Sequence, residues 1–199
     1  MPAAAQPAPP RELDELSLRR AQRGEGSGFR ALVERYHRPV WELAVRMLAG
    51  TALGHRAEDL VQETFVRVHR ALPGFDPRGP ARLSTWILTI ASRLLLNELR
   101  TAPRAAASVS IDEAIEVPGG ADPARLAVAR QRASVVARAV AELPENARAV
   151  VVLREYHDLD YAEIATALEI DVGTVKSRLS RARAQLRERL HGLAEDHDD

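Results

Sequence analysis

The sequence predicts an all-α protein, made of two small helical bundles that a flexible linker joins, the C-terminal bundle containing a helix-turn-helix. Apolar residues recur at helical spacing through most of the 199 residues. The one run with β-propensity, AVVVL at 149–153, has no partner strand nearby and Ala- and Arg-rich flanks, which favours a helix. Between the two helical regions, residues 102–122 contain two Pro, a Gly pair and little apolar periodicity, which predicts a linker.

The first bundle is predicted at residues 11–101, after a Pro- and Ala-rich start, 1–10, that we expect to be disordered. LDELSLRRAQ predicts a short helix that ends near Gly24 to Gly28. FRALVERYHRPVWELAVRML predicts a longer one, which Pro39 kinks or interrupts. AEDLVQETFVRVHRAL predicts a third helix, and the Pro- and Gly-rich PGFDPRGPAR a loop. The last helix, LSTWILTIASRLLLNELR, has only three charged residues, so we expect it to be largely buried.

The second bundle is predicted at residues 123–193, before an acidic tail at 194–199. Its helices are PARLAVARQRASVVARAVAEL, PENARAVVVLREYH, YAEIATALEI and a basic helix from Val172. Asp160 and Glu163 have the spacing of a capping box at the start of the third of these helices. A short turn follows, and Asp171 can cap the basic helix. Two short helices joined by a tight turn predict a helix-turn-helix.

The basic helix, VGTVKSRLSRARAQLRERL, contains six basic residues and one acid. Its apolar residues share one face, and cations and hydroxyls cover the others. A helix of this kind can lie in the major groove of DNA, where its polar side chains meet bases and phosphates. An αα-hairpin that packs elsewhere explains the apolar face but gives the six cations no role. DNA binding is therefore favoured, through Thr174, Lys176, Ser177, Arg178, Ser180, Arg181 and Arg183.

Composition limits the other possibilities. Lys plus Arg equals Asp plus Glu, at 28 each, so the charge distribution is informative and the net charge is not. The absence of cysteine excludes disulfides, thiolate zinc sites and redox sensing by thiols of this chain. The first residues lack the features of a signal peptide, and no apolar run is long enough to cross a bilayer. We expect a soluble, cytoplasmic protein without membrane insertion.

Two motifs in order, AEDLVQETFVRVHRAL and LDYAEIATALEIDVGTVKSRLSRARAQLRERL, resemble those of the extracytoplasmic function (ECF) sigma factors of bacterial RNA polymerase. The resemblance implies that 11–101 is sigma region 2 and 123–193 is sigma region 4. It implies a factor that binds core RNA polymerase and directs promoter-specific transcription initiation by reading minus-35 and minus-10 elements. The implied partners are core RNA polymerase, promoter DNA and an anti-sigma factor. The acidic linker would thread through the polymerase toward the RNA exit path.

The resemblance also implies a polymerase-binding surface on AEDLVQETFVRVHRAL, at Asp59, Gln62 and Glu63. Acids and an amide on a rigid helix suit a basic partner helix. An ordinary solvated face is the alternative, and without the resemblance it would be preferred. The opposite face is predicted to be core, at Val61, Phe65, Val68 and Leu72.

The loop and the helix after it match the family segment that captures the unpaired minus-10 strand. The implied contacts are Arg82, Thr89, Arg93, Asn97 and Arg100, whereas Trp86 is predicted to be core. Arg93 stands where the family frequently has Asn, and Asn97 where it frequently has Asp, which leaves the base preference open. Glu169 replaces a frequent Gly in the turn of the helix-turn-helix, so we expect this residue to stay out of the left-handed region.

Two other functions were weighed. His55, Glu58 and Asp59 lie close together, but a carboxylate metal site needs ligands from several helices, usually with Glu-x-x-His repeats. We therefore predict no catalytic residue, metal site or cofactor. A conventional repressor or activator could carry the same C-terminal reader, but it would usually dimerise and bind duplex operators without polymerase. Binding to core polymerase distinguishes the two.

Overall fold

The computed structural model describes residues 12–102 and 123–195, and within these ranges the chain forms α-helices and short 3₁₀ turns without a strand. The predicted disordered start, almost all of the predicted linker and most of the acidic tail lie outside the described residues. No helix in the described ranges is long and apolar enough to cross a bilayer. The helices are α1 (Glu15–Gln22), α2 (Gly26–Leu48), α3 (Ala57–Ala71), α4 (Leu83–Thr101), α5 (Pro123–Ala141), α6 (Glu145–Glu155), α7 (Tyr161–Leu168) and α8 (Val172–Glu195).

The first bundle, α1 to α4, is arranged around α2, which contacts the other three helices. A side chain at Gly28 would place its Cβ 2.4 Å from the backbone nitrogen of Ala21, so the close approach of α1 and α2 requires glycine there. The prediction that Pro39 could interrupt α2 is wrong, because the helix continues to Leu48. Proline removes one helical hydrogen bond, but Tyr36 and Val40 are both buried, so packing holds the helix on either side of it.

The predicted core of this bundle is confirmed. Val61, Phe65, Val68 and Leu72 are all buried, as the helical spacing of these residues requires. Trp86 is half-buried, packs against the core and contacts the Phe75 ring at a centroid distance of 5.0 Å. Its indole therefore belongs to the packing beneath the α3–α4 loop.

The second bundle, α5 to α8, contains the predicted helix-turn-helix. The AVVVL run lies in α6, with every member buried, so the helical interpretation is confirmed. The capping box at the start of α7 is present: the Asp160 carboxylate accepts from the Glu163 nitrogen at 2.8 Å, and the Glu163 carboxylate accepts from the Asp160 nitrogen at 2.9 Å. It fixes where the first helix of the motif begins.

The turn between α7 and α8 corrects one expectation. Glu169 lies in the left-handed region, with φ 54° and ψ 48°, although we expected it to stay outside. The conformation lets the amides of Glu169 and Ile170 both donate to the Ala165 carbonyl, which closes the end of α7. The left-handed backbone costs a non-glycine residue about 1–2 kcal/mol, which these end-of-helix hydrogen bonds offset.

The two bundles pack against each other, which the sequence did not predict. Helix α2 contacts α5 and α6, and α4 contacts α6 and α7. Buried apolar residues of both bundles form one continuous core cluster. The helix-turn-helix is therefore held against the helix predicted to meet the minus-10 strand.

Candidate nucleic-acid and polymerase interfaces

The predicted minus-35 surface lies on α8. Val175, Leu179 and Ala182 are buried, and α8 packs on α6 and α7. This packing fixes the orientation of the polar faces of the helix. Most of the predicted contacts are exposed (Lys176, Ser180, Arg181 and Arg183), and the remainder are half-buried (Thr174, Ser177 and Arg178).

The cations of this surface fall into two groups. Arg183 donates to one carboxylate oxygen of Glu155 from Nε at 3.1 Å and from Nη2 at 2.6 Å. These hydrogen bonds raise the pKa of the Arg183 guanidinium above its usual value. Lys176, Arg178 and Arg181 form no ion pair with any residue that the structure describes. The second group thus has charge available for an anionic partner.

The predicted minus-10 residues follow one stripe of α4 and the residue before it. Asn97 and Arg100 are exposed near the end of the helix. Thr89 is half-buried, and its hydroxyl donates to the Thr85 carbonyl at 2.8 Å. Arg82 and Arg93 instead face α7: Arg82 Nε lies 3.9 Å from a Glu163 carboxylate oxygen, and Arg93 donates to carbonyls at the end of α7. The stripe exists, but the second bundle covers part of it.

The α3–α4 loop is held from behind by residues that sequence reasoning missed. Gln22 Nε2 donates to the carbonyls of Leu72, at 3.2 Å, and Phe75, at 2.7 Å. Glu12 accepts from the hydroxyls of Tyr36 and Ser84. Burial raises the pKa of Tyr36, so its hydroxyl remains a proton donor. No pattern in the sequence identifies Gln22, because both of its partners are backbone atoms.

The predicted polymerase surface lies on α3. Asp59 and Gln62 are exposed, and Glu63 is half-buried and accepts from Arg67 Nε at 2.8 Å. Val66 is 41% exposed on the same face. The surface is therefore polar with an exposed apolar residue, a composition typical of protein-binding sites. The spacing of Val66 from Gln62 and Glu63 was the signal that could have identified it.

The alternative of a metal centre was examined in the same geometry. Among the described residues, no group of three or more His, Asp or Glu side chains could hold a metal ion. His55, Glu58 and Asp59 are not gathered into such a group.

Comparisons with known proteins agree with this arrangement. The family models for Sigma-70 region 2 and Sigma-70, region 4 match residues 32–105 and 134–186. The ECF RNA polymerase sigma-E factor of Salmonella typhimurium is 34% identical over 189 residues, which cover 90% of this chain and 95% of the relative.

Solved structures show the same fold. CnrH, in complex with the cytosolic domain of CnrY, superposes with a TM-score of 0.61 at 27% identity, covering 90% of this chain and 97% of CnrH. The sigma factor RpoE of Bartonella quintana, in complex with the anti-sigma factor NepR, has a TM-score of 0.62 at 20% identity, covering 82% and 96% of the two chains. The chain thus belongs to the ECF sigma factors of RNA polymerase and directs promoter-specific transcription initiation.

Proposed function

We propose that three surfaces of this sigma factor divide the work of initiation. The exposed face of α8 reads the minus-35 duplex, the α3–α4 loop and the α4 stripe hold the unpaired minus-10 strand, and the polar face of α3 binds core RNA polymerase. The chain acts by binding and recognition, without a catalytic residue of its own.

The minus-35 assignment rests on the cations of α8. Lys176, Arg178 and Arg181 lie on a helix whose opposite stripe is buried, so the packing holds them in a fixed direction. Arginine can bind the edge of guanine through two hydrogen bonds, and lysine and serine can bind phosphates or bases. A helix presented in this way after a capped partner helix has the geometry of a major-groove reader.

The minus-10 assignment rests on the loop and the cations beside it. Gln22 and the Phe75–Trp86 contact fix the start of the loop, so its backbone is supported rather than free. Arg82 precedes α4, and Arg100 and Asn97 are exposed along the helix. Cations beside a rigid loop suit a single strand whose bases have left the stack.

The polymerase assignment rests on α3. Asp59 and Gln62 are exposed without a hydrogen bond to any described residue, and Val66 supplies apolar contact area between the polar groups. Such a surface suits a basic helix that also carries an apolar residue. Glu63 contributes less freely, because its carboxylate is already paired with Arg67.

We further propose that an anti-sigma factor regulates this chain by covering these surfaces. The structure of CnrH with the cytosolic domain of CnrY supports a protein partner of this kind. An anti-sigma factor that acts in this way should abolish start-site-specific transcription when it is added before core polymerase. Added after the initiation complex has formed, it should have much less effect.

The single observation that carries the proposal is the set of cations on α8 without an acidic partner in the described chain. The decisive experiment is transcription in vitro with purified core polymerase, followed by mapping of the RNA start sites. We expect new start sites that appear only when the chain is added and that disappear when the minus-35 element is changed. Identical start sites with and without the chain would refute the proposal.

A further inference from the structure

The packing of α7 on α4 is made by specific polar contacts. The Thr85 hydroxyl on α4 donates to a Glu163 carboxylate oxygen at 2.8 Å. The other oxygen of that carboxylate accepts from the Asp160 amide in the capping box. One side chain therefore both begins the first helix of the reader and attaches it to the first bundle.

Arg93 makes a second set of contacts at the other end of α7. It donates to the carbonyls of Ala167, at 3.1 Å, and Thr166, at 2.9 Å, and lies 3.0 Å from a Glu169 carboxylate oxygen. The last carbonyls of a helix have no partner within it and carry the negative end of its dipole, so a guanidinium is favoured there.

Arg148 attaches α6 to the end of α2. Its side chain is almost fully buried, at 4% exposure, and Nη1 donates to the carbonyls of Met47, at 2.7 Å, and Ala49, at 2.9 Å. Nη2 donates to carbonyls of its own bundle, at Ala141 and Leu143. A buried charge is tolerated only when its donors are satisfied, so separating the bundles would cost Arg148 two of its acceptors.

A cation–π contact lies beside it. The Arg46 guanidinium on α2 is 3.8 Å from the centre of the Tyr156 ring at the end of α6. With Thr85, Arg93 and Arg148, it forms what we call the closed interface. Four side chains from three helices (α2, α4 and α6) thus hold the bundles in one relative position.

We propose that the closed interface is an autoinhibitory docking surface: the first bundle binds the reader of the same chain and covers part of the minus-10 stripe until the bundles separate. Arg82 and Arg93 face α7 in this state, whereas Asp59 and Gln62 on α3 and the cations of α8 remain exposed. The consequence for DNA rests on the proposed function of the α4 stripe. The closure itself does not.

Promoter geometry requires the bundles to separate. The minus-35 and minus-10 elements are about 25 base pairs apart by name, which is about 85 Å of duplex at 3.4 Å per base pair. A compact body of the size of the described chain is about 40 Å across. Residues 103–122 can extend by about 70 Å at most, enough for separated bundles to reach both elements. The closed chain cannot contact both elements at once.

This geometry sets an order of events. Polymerase can meet the exposed face of α3 while the chain is closed, and opening follows when the reader moves to its own site. Because a partner of the open state binds with an affinity reduced by the fraction of open molecules, weakening the closed interface should strengthen the complex.

The first test measures closure in the free chain. The protein has no cysteine, so Glu58→Cys on α3 and Gln185→Cys on α8 can carry a single pair of spin labels at exposed sites. We expect a single narrow distance distribution for the otherwise unchanged chain and a broad, longer one for Arg148→Met. Arg154→Met is the matched control, because Arg154 donates to the Leu159 carbonyl within the second bundle, and its distribution should stay narrow. A broad distribution in the unchanged chain would overturn the proposal.

The second test measures affinity for purified core polymerase, using unlabelled chains. Thr85→Val removes one hydrogen bond of the closed interface with almost no change in volume, so it should lower the dissociation constant about three- to tenfold. Thr64→Val is the matched control, because its hydroxyl donates to the Leu60 carbonyl within α3. Unchanged or weaker binding by Thr85→Val would overturn the proposal. If no variant binds polymerase at all, the proposed function fails, whereas the distance measurement still decides closure.

Discussion

Replacing Arg181 and Arg183 separately distinguishes cations that are available to DNA from those already paired within the protein. Arg181 forms no ion pair with a described residue, whereas Arg183 is bound to Glu155 through two hydrogen bonds. If Arg181 reads a base, Arg181→Ala should cost about 1–3 kcal/mol of promoter recognition, or about 5- to 150-fold. An exposed ion pair is worth about 0.2–1 kcal/mol, so DNA must first compete for Arg183 against that interaction. Arg183→Ala should therefore cost less.

The assay is start-site-specific transcription with core polymerase, from the cognate promoter and from promoters with single changes in the minus-35 element. Loss confined to one base position identifies Arg181 as a base contact, whereas equal loss on every promoter identifies a phosphate contact. Arg189→Ala is the control, because Arg189 lies on the same helix but faces Glu142. A larger loss for Arg183→Ala than for Arg181→Ala would refute the reasoning from ion pairing.

The remaining predictions concern polymerase binding and stability. Asp59→Arg should abolish capture by core polymerase in a pull-down without changing the circular dichroism spectrum, because the residue is exposed. Burial, and then the charge of Arg46, lower the pKa of His157 to about 3, so its neutral form stabilises the fold above about pH 6.5. That stability is lost as the pH falls toward 3, by about 2 kcal/mol at pH 5, and urea unfolding of His157→Phe should lack this slope. At the left-handed turn, Glu169→Gly should be more stable to urea than Glu169→Ala by about 1 kcal/mol. Equal stability of those two variants would contradict the assigned backbone strain.

The helices and their buried faces could be predicted because each depends on residues close together in the chain. Val175, Leu179 and Ala182 are spaced for one helical face, and that face is buried. The capping box is equally local, since Asp160 and Glu163 are three residues apart. Periodicity and capping chemistry were sufficient wherever the partners lay within one or two helical turns.

Sequence reasoning failed where the deciding partner was distant or was a backbone atom. Arg148 read as one cation in an Ala- and Arg-rich helix, but its acceptors are the carbonyls of Met47 and Ala49, about 100 residues earlier. A carbonyl belongs to every residue, so no side-chain pattern indicates it. The same reason hid Gln22 behind the α3–α4 loop, and it hid the hydrogen bonds that place Glu169 in the left-handed region.

Arg93 shows how the two bundles compete for one functional group. Its guanidinium donates to carbonyls at the end of α7 in the closed chain, and the same N–H donors are the ones that a DNA phosphate would accept from. One side chain cannot satisfy both at once, so closure and minus-10 contact exclude each other at this residue. A substitution of Arg93 would weaken both states and could not separate them. Arg148 and Thr85 can, because both belong to the closed interface and neither belongs to a surface proposed for DNA or polymerase.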